Sequence, residues 1–254
     1  MKSRYAFVAL LLTISTWTAV AVGYQVYGEI GQKWHSLGGA SGFLGAPLTD
    51  ETATPDGVGR YNHFQGGSIY WTPQTRAHEV HGAIREKWAS LGWERSRLGY
   101  PLTDEEPMAD GQGRHSNFQG GTIFWSPQTG AHEMHGEIMR KWVGLGGSRG
   151  FLGYPVTDEL VTPDGQGHYV HFAGGSIYWT PATGAYEVHG AIREKWAALQ
   201  WERGALRYPI SDEFQDGGYR RSDFQHGFIR WSPQRGAEAS VSLEGDVVLN
   251  PVRD

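Results

Sequence analysis

The chain has 254 residues, a formal net charge of −5 at neutral pH, eleven tryptophans and no cysteine. No disulfide supports it, so its stability must come from packing, with the large aromatic side chains as the main source. A mildly acidic balance argues against nucleic acid, whose phosphate backbone needs clustered Lys and Arg.

Residues 1–23 read as a targeting segment. Lys2 and Arg4 supply the positive end, residues 6–14 an apolar core, and Ala19-Val20-Ala21 a small-residue cleavage site. The alternative is an uncut anchor, because residues 5–23 carry no charge over a length near the lower limit for a membrane span. Either way the remainder is expected outside the cytoplasm, secreted or associated with the cell wall. It would touch a membrane only if the segment stays uncut.

A repeat follows. Trp34, Trp88, Trp142 and Trp196 are each 54 residues apart. The run FQGGSIYW at 64–71 returns as FQGGTIFW at 118–125, FAGGSIYW at 172–179 and, after a two-residue deletion, FQHGFIRW at 224–231. Such a period means that each unit is one supersecondary piece stacked on its neighbours. The units are placed at 27–79, 80–133, 134–187 and 188–238, with a tail at 239–254. In that tail, 241–249 alternates weakly and is expected to close against the first unit.

Within the second unit, Ile84, Trp88 and Leu91 fall at i, i+4 and i+7, which predicts a short helix with one apolar face, stopped at Gly92. Pro101 then biases Tyr100 towards an extended conformation, and the run DGQG at 110–113 supplies a turn. Strands are expected at 114–119 and 122–126, joined by Gly120-Gly121 as a two-residue hairpin turn. A last short strand at 131–134 leads into the next helix. The fold class is thus an α+β repeat protein of four units, each a short helix plus a β-hairpin.

With Gly66-Gly67 as the turn, Phe64 opposes Ile69 and His63 opposes Tyr70. Alternation then puts Phe64, Ile69 and Trp71 on a core face and Tyr61, His63 and Tyr70 on an outer face. By the same register Trp125, Trp179 and Trp231 are core residues rather than sugar platforms. The units also alternate. The first and third share GFLGxP and TPDG, while the second and fourth share AIREKWA and the WER at 93–95 and 201–203. The simplest history is duplication of a two-unit block.

The runs GFLGAP, LGYP and GFLGYP, each followed by TDE and then FxGGxIxW, resemble the LGFP repeat family over nearly all of residues 27–238. The fourth unit departs from the pattern at Leu206-Arg207-Tyr208-Pro209 and at His226. The resemblance implies an exported, cell-envelope protein of the kind found in mycolic-acid-containing actinobacteria and their relatives. It further implies attachment to the wall through arabinogalactan or a related glycan, and repeats closed into a ring-like, pseudosymmetric arrangement.

The residues themselves argue against catalysis. The pairs Asp50-Glu51, Asp104-Glu105, Asp158-Glu159 and Asp212-Glu213 occur in every unit after a proline turn, which fits a structural role for short polar side chains bonded to nearby backbone. Adjacent carboxylates point apart in extended chain and would not flank one glycosidic bond. No GxSxG elbow occurs. The pairs His78/His81 and His132/His135 have i, i+3 spacing, yet Tyr27 and Tyr186 take such positions in other units, which argues against zinc. No loop of alternating carboxylates suits calcium. No cofactor or metal is expected.

Ligand contacts are expected on the outer hairpin faces: Tyr61, His63 and Tyr70; His115, Asn117 and Phe124; Tyr169, His171 and Tyr178. An aromatic ring beside hydrogen-bonding groups suits a sugar. Unit four carries Arg221, Asp223 and Arg230 there, with no ring. Trp93 and Trp201, present only in alternate units, either line a site or seal a unit interface. The leading expectation is a non-catalytic binder of wall glycan through several weak sites. The alternatives are a module that holds an envelope enzyme at the wall and, third, a hydrolase.

Overall fold

The computed structural model describes residues 23–242. The targeting segment at 1–23, except Gly23, and most of the expected closing strand lie outside them. Among the described residues no helix is long and apolar enough to cross a membrane.

Each unit is a short helix followed by a 3-10 turn and a four-stranded antiparallel meander. Unit one has α1 (Gly28–Ser36), β1 (Thr52–Ala53), β2 (Arg60–Phe64), β3 (Gly67–Thr72) and β4 (Arg76–His81). Unit two has α2 (Gly82–Leu91), β5 (Glu106–Pro107), β6 (Arg114–Phe118), β7 (Gly121–Ser126) and β8 (Gly130–Met134). Unit three has α3 (Gly136–Gly144), β9 (Leu160–Val161), β10 (His168–Phe172), β11 (Gly175–Thr180) and β12 (Gly184–His189). Unit four has α4 (Gly190–Ala198), β13 (Phe214–Asp216), β14 (Tyr219–Phe224), β15 (Gly227–Ser232) and β16 (Gly236–Val241).

The hairpin register differs from the expectation by two residues. Phe64 pairs with Gly67, Asn62 with Ile69 and Tyr61 with Tyr70, so the turn is Gln65-Gly66. Gly67 belongs to the strand because a Cβ there would meet the Leu44 Cδ2 at 2.8 Å and the His81 Cβ at 2.9 Å. A shift of two preserves which residues share a face. It does not preserve which face is open, because both faces are covered.

Among the described residues α2, α3 and α4 each lie between two sheets, and α1 lies against one. On one side of the first sheet, α1 places Ile30 against Phe64 and Ile69. On the other side, α2 places Ile84 and Trp88 against Tyr70 while also packing on Phe118 and Ile123 of its own sheet. Trp88 is 4.6 Å from the Tyr70 ring and 5.2 Å from that of Phe118. Trp142 and Trp196 repeat this between the next pairs of sheets, and all three indoles are buried. Trp71, Trp125, Trp179 and Trp231 pack half-buried against these clusters.

Polar struts tie unit to unit. The Tyr100 hydroxyl donates to Asp56 at 2.7 Å, and Tyr154 bonds Asp110 in the same way. The helix lysines reach the next unit's aspartate: Lys33 to Asp104 at 2.8 Å, Lys87 to Asp158 at 2.7 Å, and Lys141 to Asp212. Asp104, Asp158 and Asp212 are therefore braces between units, with partners far away in sequence, whereas Glu51, Glu105 and Glu213 pair with arginines of their own unit.

Burial opposes ionisation of Asp104 and Asp158, but hydrogen bonds from His78 or His132, from the lysines and from backbone amides hold both carboxyls at about 2. A folded value below the unfolded value of about 3.9 contributes stability above that pH, and this is lost as pH falls towards 2. Each aspartate is expected to contribute on the order of 1–2 kcal/mol. Thermal unfolding followed from pH 5 to pH 2 should show the decline, and Asp104→Asn with Asp158→Asn should flatten it.

The two ends are built differently from the middle. Trp34 is only half-buried, unlike its three equivalents, and Ala46 stands where Tyr100, Tyr154 and Tyr208 make their struts. On the last sheet, Arg221 lies 4.0 Å over the Phe228 ring and Arg230 lies 4.4 Å over Tyr219 while pairing with Glu238. A charged outer surface is what a terminal repeat needs. The four sheets are separate, and 236–241 pairs with β15 of unit four; of the expected closing strand only 241 and 242 are described. Ring closure is not seen among the described residues.

Candidate functional site

Stacking turns the expected outer faces into interfaces. Between units one and two, Tyr61 stacks on Tyr70 at 5.1 Å and His63 bonds Ser68 at 2.7 Å. Trp93, from the 3-10 turn after α2, closes over this set, 6.0 Å from Tyr70 and 6.1 Å from His63. Arg85 covers the indole at 5.2 Å and donates to Ser68 at 2.7 Å. Between units three and four, Tyr169, His171, Tyr178, Arg193 and Trp201 repeat the arrangement with distances that agree to about 0.1 Å. Tyr70 and Tyr178 are both 3% exposed, so neither offers a ring face to solvent. Three equivalent open faces do not exist. Trp93 and Trp201 seal interfaces.

The interface between units two and three lacks the seal. Gly147 stands in the place of Trp93 and Trp201, Met139 in that of Arg85 and Arg193, and His115 in that of Tyr61 and Tyr169. What remains is a cavity of about 590 Å³. Its floor is Phe124 and Trp142, its apolar wall Met108, Met139 and Val143, and its polar side His115, Asn117 and Thr122. Of the expected ligand residues, only His115, Asn117 and Phe124 are brought together around open space.

The backbone explains why a tryptophan fits this slot elsewhere. Trp93 and Trp201 have φ of +59° and +56°, and Gly147 has +57°. The left-handed conformation costs a non-glycine residue about 1–2 kcal/mol, so two tryptophans hold it only because their burial offsets that strain. Glycine at 147 removes both the strain and the plug.

The polar side is neutral. Burial holds the His115 imidazole below its ordinary value, with Glu106 opposing weakly. Its Nδ1 has no hydrogen-bond partner, and Thr122 donates to the Asn117 Oδ1 at 2.8 Å. This arrangement can exchange hydrogen bonds with hydroxyl groups while an apolar face rests on the floor. Met139 and Gly147 are not singled out in the sequence and Trp142 only as a marker of the repeat, although Gly147 is visible there as the interruption of the WER pattern.

The LGFP repeat model matches residues 44–96, 98–150, 152–204 and 206–242. No curated protein matches the sequence. Among solved structures, virginiamycin B lyase from Staphylococcus aureus is 11% identical at a TM-score of 0.15, covering 79% of this chain. A streptogramin B lyase is 11% identical at 0.16, covering 76% of this chain. The matches cover only 57% and 54% of those two chains, and at such TM-scores they carry no argument. The four matches, each spanning the proline turn and meander of one unit and, in the first three, the helix of the next, place this chain in the LGFP repeat family.

Proposed function

We propose that this is a non-catalytic protein of the cell envelope that binds an arabinogalactan-like wall polysaccharide, with the cavity between units two and three as its binding place. The observation that carries this reading is the missing tryptophan plug at one interface of three. The cavity's size falls within the range of about 300–1,000 Å³ typical of ligand sites. The C–H face of a sugar ring rests on the Met139 and Val143 side, and its hydroxyls reach His115, Asn117 and Thr122. In this reading the aspartates of the carboxylate pairs brace neighbouring units and the glutamates pair with nearby arginines or histidines, leaving no acid–base couple at the cavity.

A second reading, a surface that holds an envelope enzyme, is favoured by Phe43 and Phe151. Both are 53% exposed and lie two units apart. Cosedimentation of the pure protein with delipidated walls separates the two. Binding that persists after the walls are treated with proteinase, and that soluble wall polysaccharide competes away, is expected. Binding abolished by the proteinase would overturn the glycan reading.

A further inference from the structure

Unit three contains a side-chain set that no other unit has. In units one, two and four the glutamate of the Asp-Glu pair meets an arginine from the first residues of the long hairpin: Glu51 with Arg60, Glu105 with Arg114, and Glu213 with Arg220 at 2.7 Å. In unit three that arginine is replaced by His168, whose Nδ1 lies 3.5 Å from the Glu159 Oε1.

A second imidazole faces the same carboxylate. His135, at the junction of β8 and α3, places Nδ1 2.8 Å from the Glu159 Oε2. Its equivalents His81 and His189 turn Nδ1 to Glu79 and Glu187 at 2.7 Å and face Glu105 and Glu213 through Nε2, at 3.3 and 3.5 Å. His135 is released from that bond because Arg97 occupies Glu133 at 3.3 Å, leaving His135 and Glu133 3.6 Å apart. Arg97 itself replaces a phenylalanine, since Phe43 and Phe151 stack on His81 and His189 at the matching places. Two substitutions, Arg to His and Phe to Arg, thus act on one spot.

The Nδ1 atoms of His135 and His168 are both buried without a partner in hydrogen-bonding geometry, and Glu159 is 5% exposed. The three donor atoms all lie within 4.8 Å of one another. Ligands on a tetrahedral zinc ion stand about 3.4 Å apart, given metal–ligand bonds of about 2.1 Å. The His135 Nδ1 stands 2.8 Å from the Glu159 Oε2 and the His168 Nδ1 3.5 Å from its Oε1, so each imidazole lies near that spacing from one oxygen of the shared carboxylate. Two imidazoles and one carboxylate suit zinc rather than calcium or magnesium, which take oxygen ligands.

We propose that His135, Glu159 and His168 form a zinc site, with the fourth position left to water. Coordination through Nδ1 puts the His135 proton on Nε2. Arg97, now bonded to that nitrogen and 43% exposed, turns wholly to Glu133. The i, i+3 histidine pairs play no part, because His132 bonds Asp158 and the Thr129 carbonyl.

The test uses the full, untagged chain stripped with chelator and titrated with zinc by calorimetry, and with cobalt by absorption. Uptake of one ion per chain is expected, with a raised melting temperature. His168→Arg installs the residue that the other three units carry, so it should fold normally in the absence of metal and bind zinc roughly 100-fold more weakly. Glu159→Gln should bind as weakly. No uptake by the wild-type chain at about 0.1 mM zinc, or equal uptake by a folded His168→Arg, would overturn the proposal. The first result would mean that Arg97 alone balances the local charge.

Discussion

Trp88→Ala is expected to destabilise the protein by about 3–5 kcal/mol, the range for removing a fully buried large aromatic side chain. The indole is 0% exposed and touches Tyr70 of the sheet before it and Phe118 of the sheet after it. Its loss therefore weakens two units at once. Trp34→Ala removes the equivalent residue from α1, which among the described residues has a sheet on one side only, with the indole 5.8 Å from Phe64. That variant should lose about half as much. Denaturant unfolding of the two variants compares them directly, and equal losses would mean that the outer side of α1 is covered after all.

Trp93→Gly is expected to lose about 2 kcal/mol. The side chain is half-buried among Trp88, Tyr70 and His63, and relief of its left-handed backbone offsets part of the lost packing. Combined with Arg85→Met, the change copies into the first interface the features that leave the middle one open. Ligand stoichiometry should then rise from one place to two, read by calorimetry with soluble wall polysaccharide fragments. An unchanged stoichiometry would mean that the open interface depends on more than the missing plug.

Much of the unit was legible in the sequence. The apolar face of Ile84 and Trp88 gave the helix, and α2 does run Gly82–Leu91. Alternation along 60–72 correctly grouped the residues of each sheet face. The hairpin turn was misplaced because two adjacent glycines look like a turn pair, whereas Gly67 is small to admit the Leu44 and His81 side chains. The open face was misjudged for a different reason. Alternation within one strand tells which residues point together, but not what the next unit lays over them. Tyr61, His63 and Tyr70 are grouped correctly, and the next unit's helix and 3-10 turn cover them.

The candidate site was legible only as a contrast between units. Trp93 and Trp201 stood out, and the informative position was the glycine between them. The His135, Glu159 and His168 set had no local spacing to reveal it, since the antiparallel pairing of β9 and β10 is what brings His168 towards Glu159. The two-residue strands β1, β5 and β9 carry too little pattern to be found by periodicity.

Gly147→Trp tests the central claim most directly. The equivalent positions already hold tryptophan at nearly the same φ, and a Cβ at 147 meets nothing nearer than the Trp142 ring at 3.9 Å. The variant should therefore fold and fill the cavity. Binding of soluble wall polysaccharide to wild type and to Gly147→Trp, measured side by side by calorimetry, should show at least a roughly tenfold loss in the variant, equivalent to about 1.4 kcal/mol. A folded Gly147→Trp protein that binds as tightly as wild type would contradict the assignment of this cavity as the binding place.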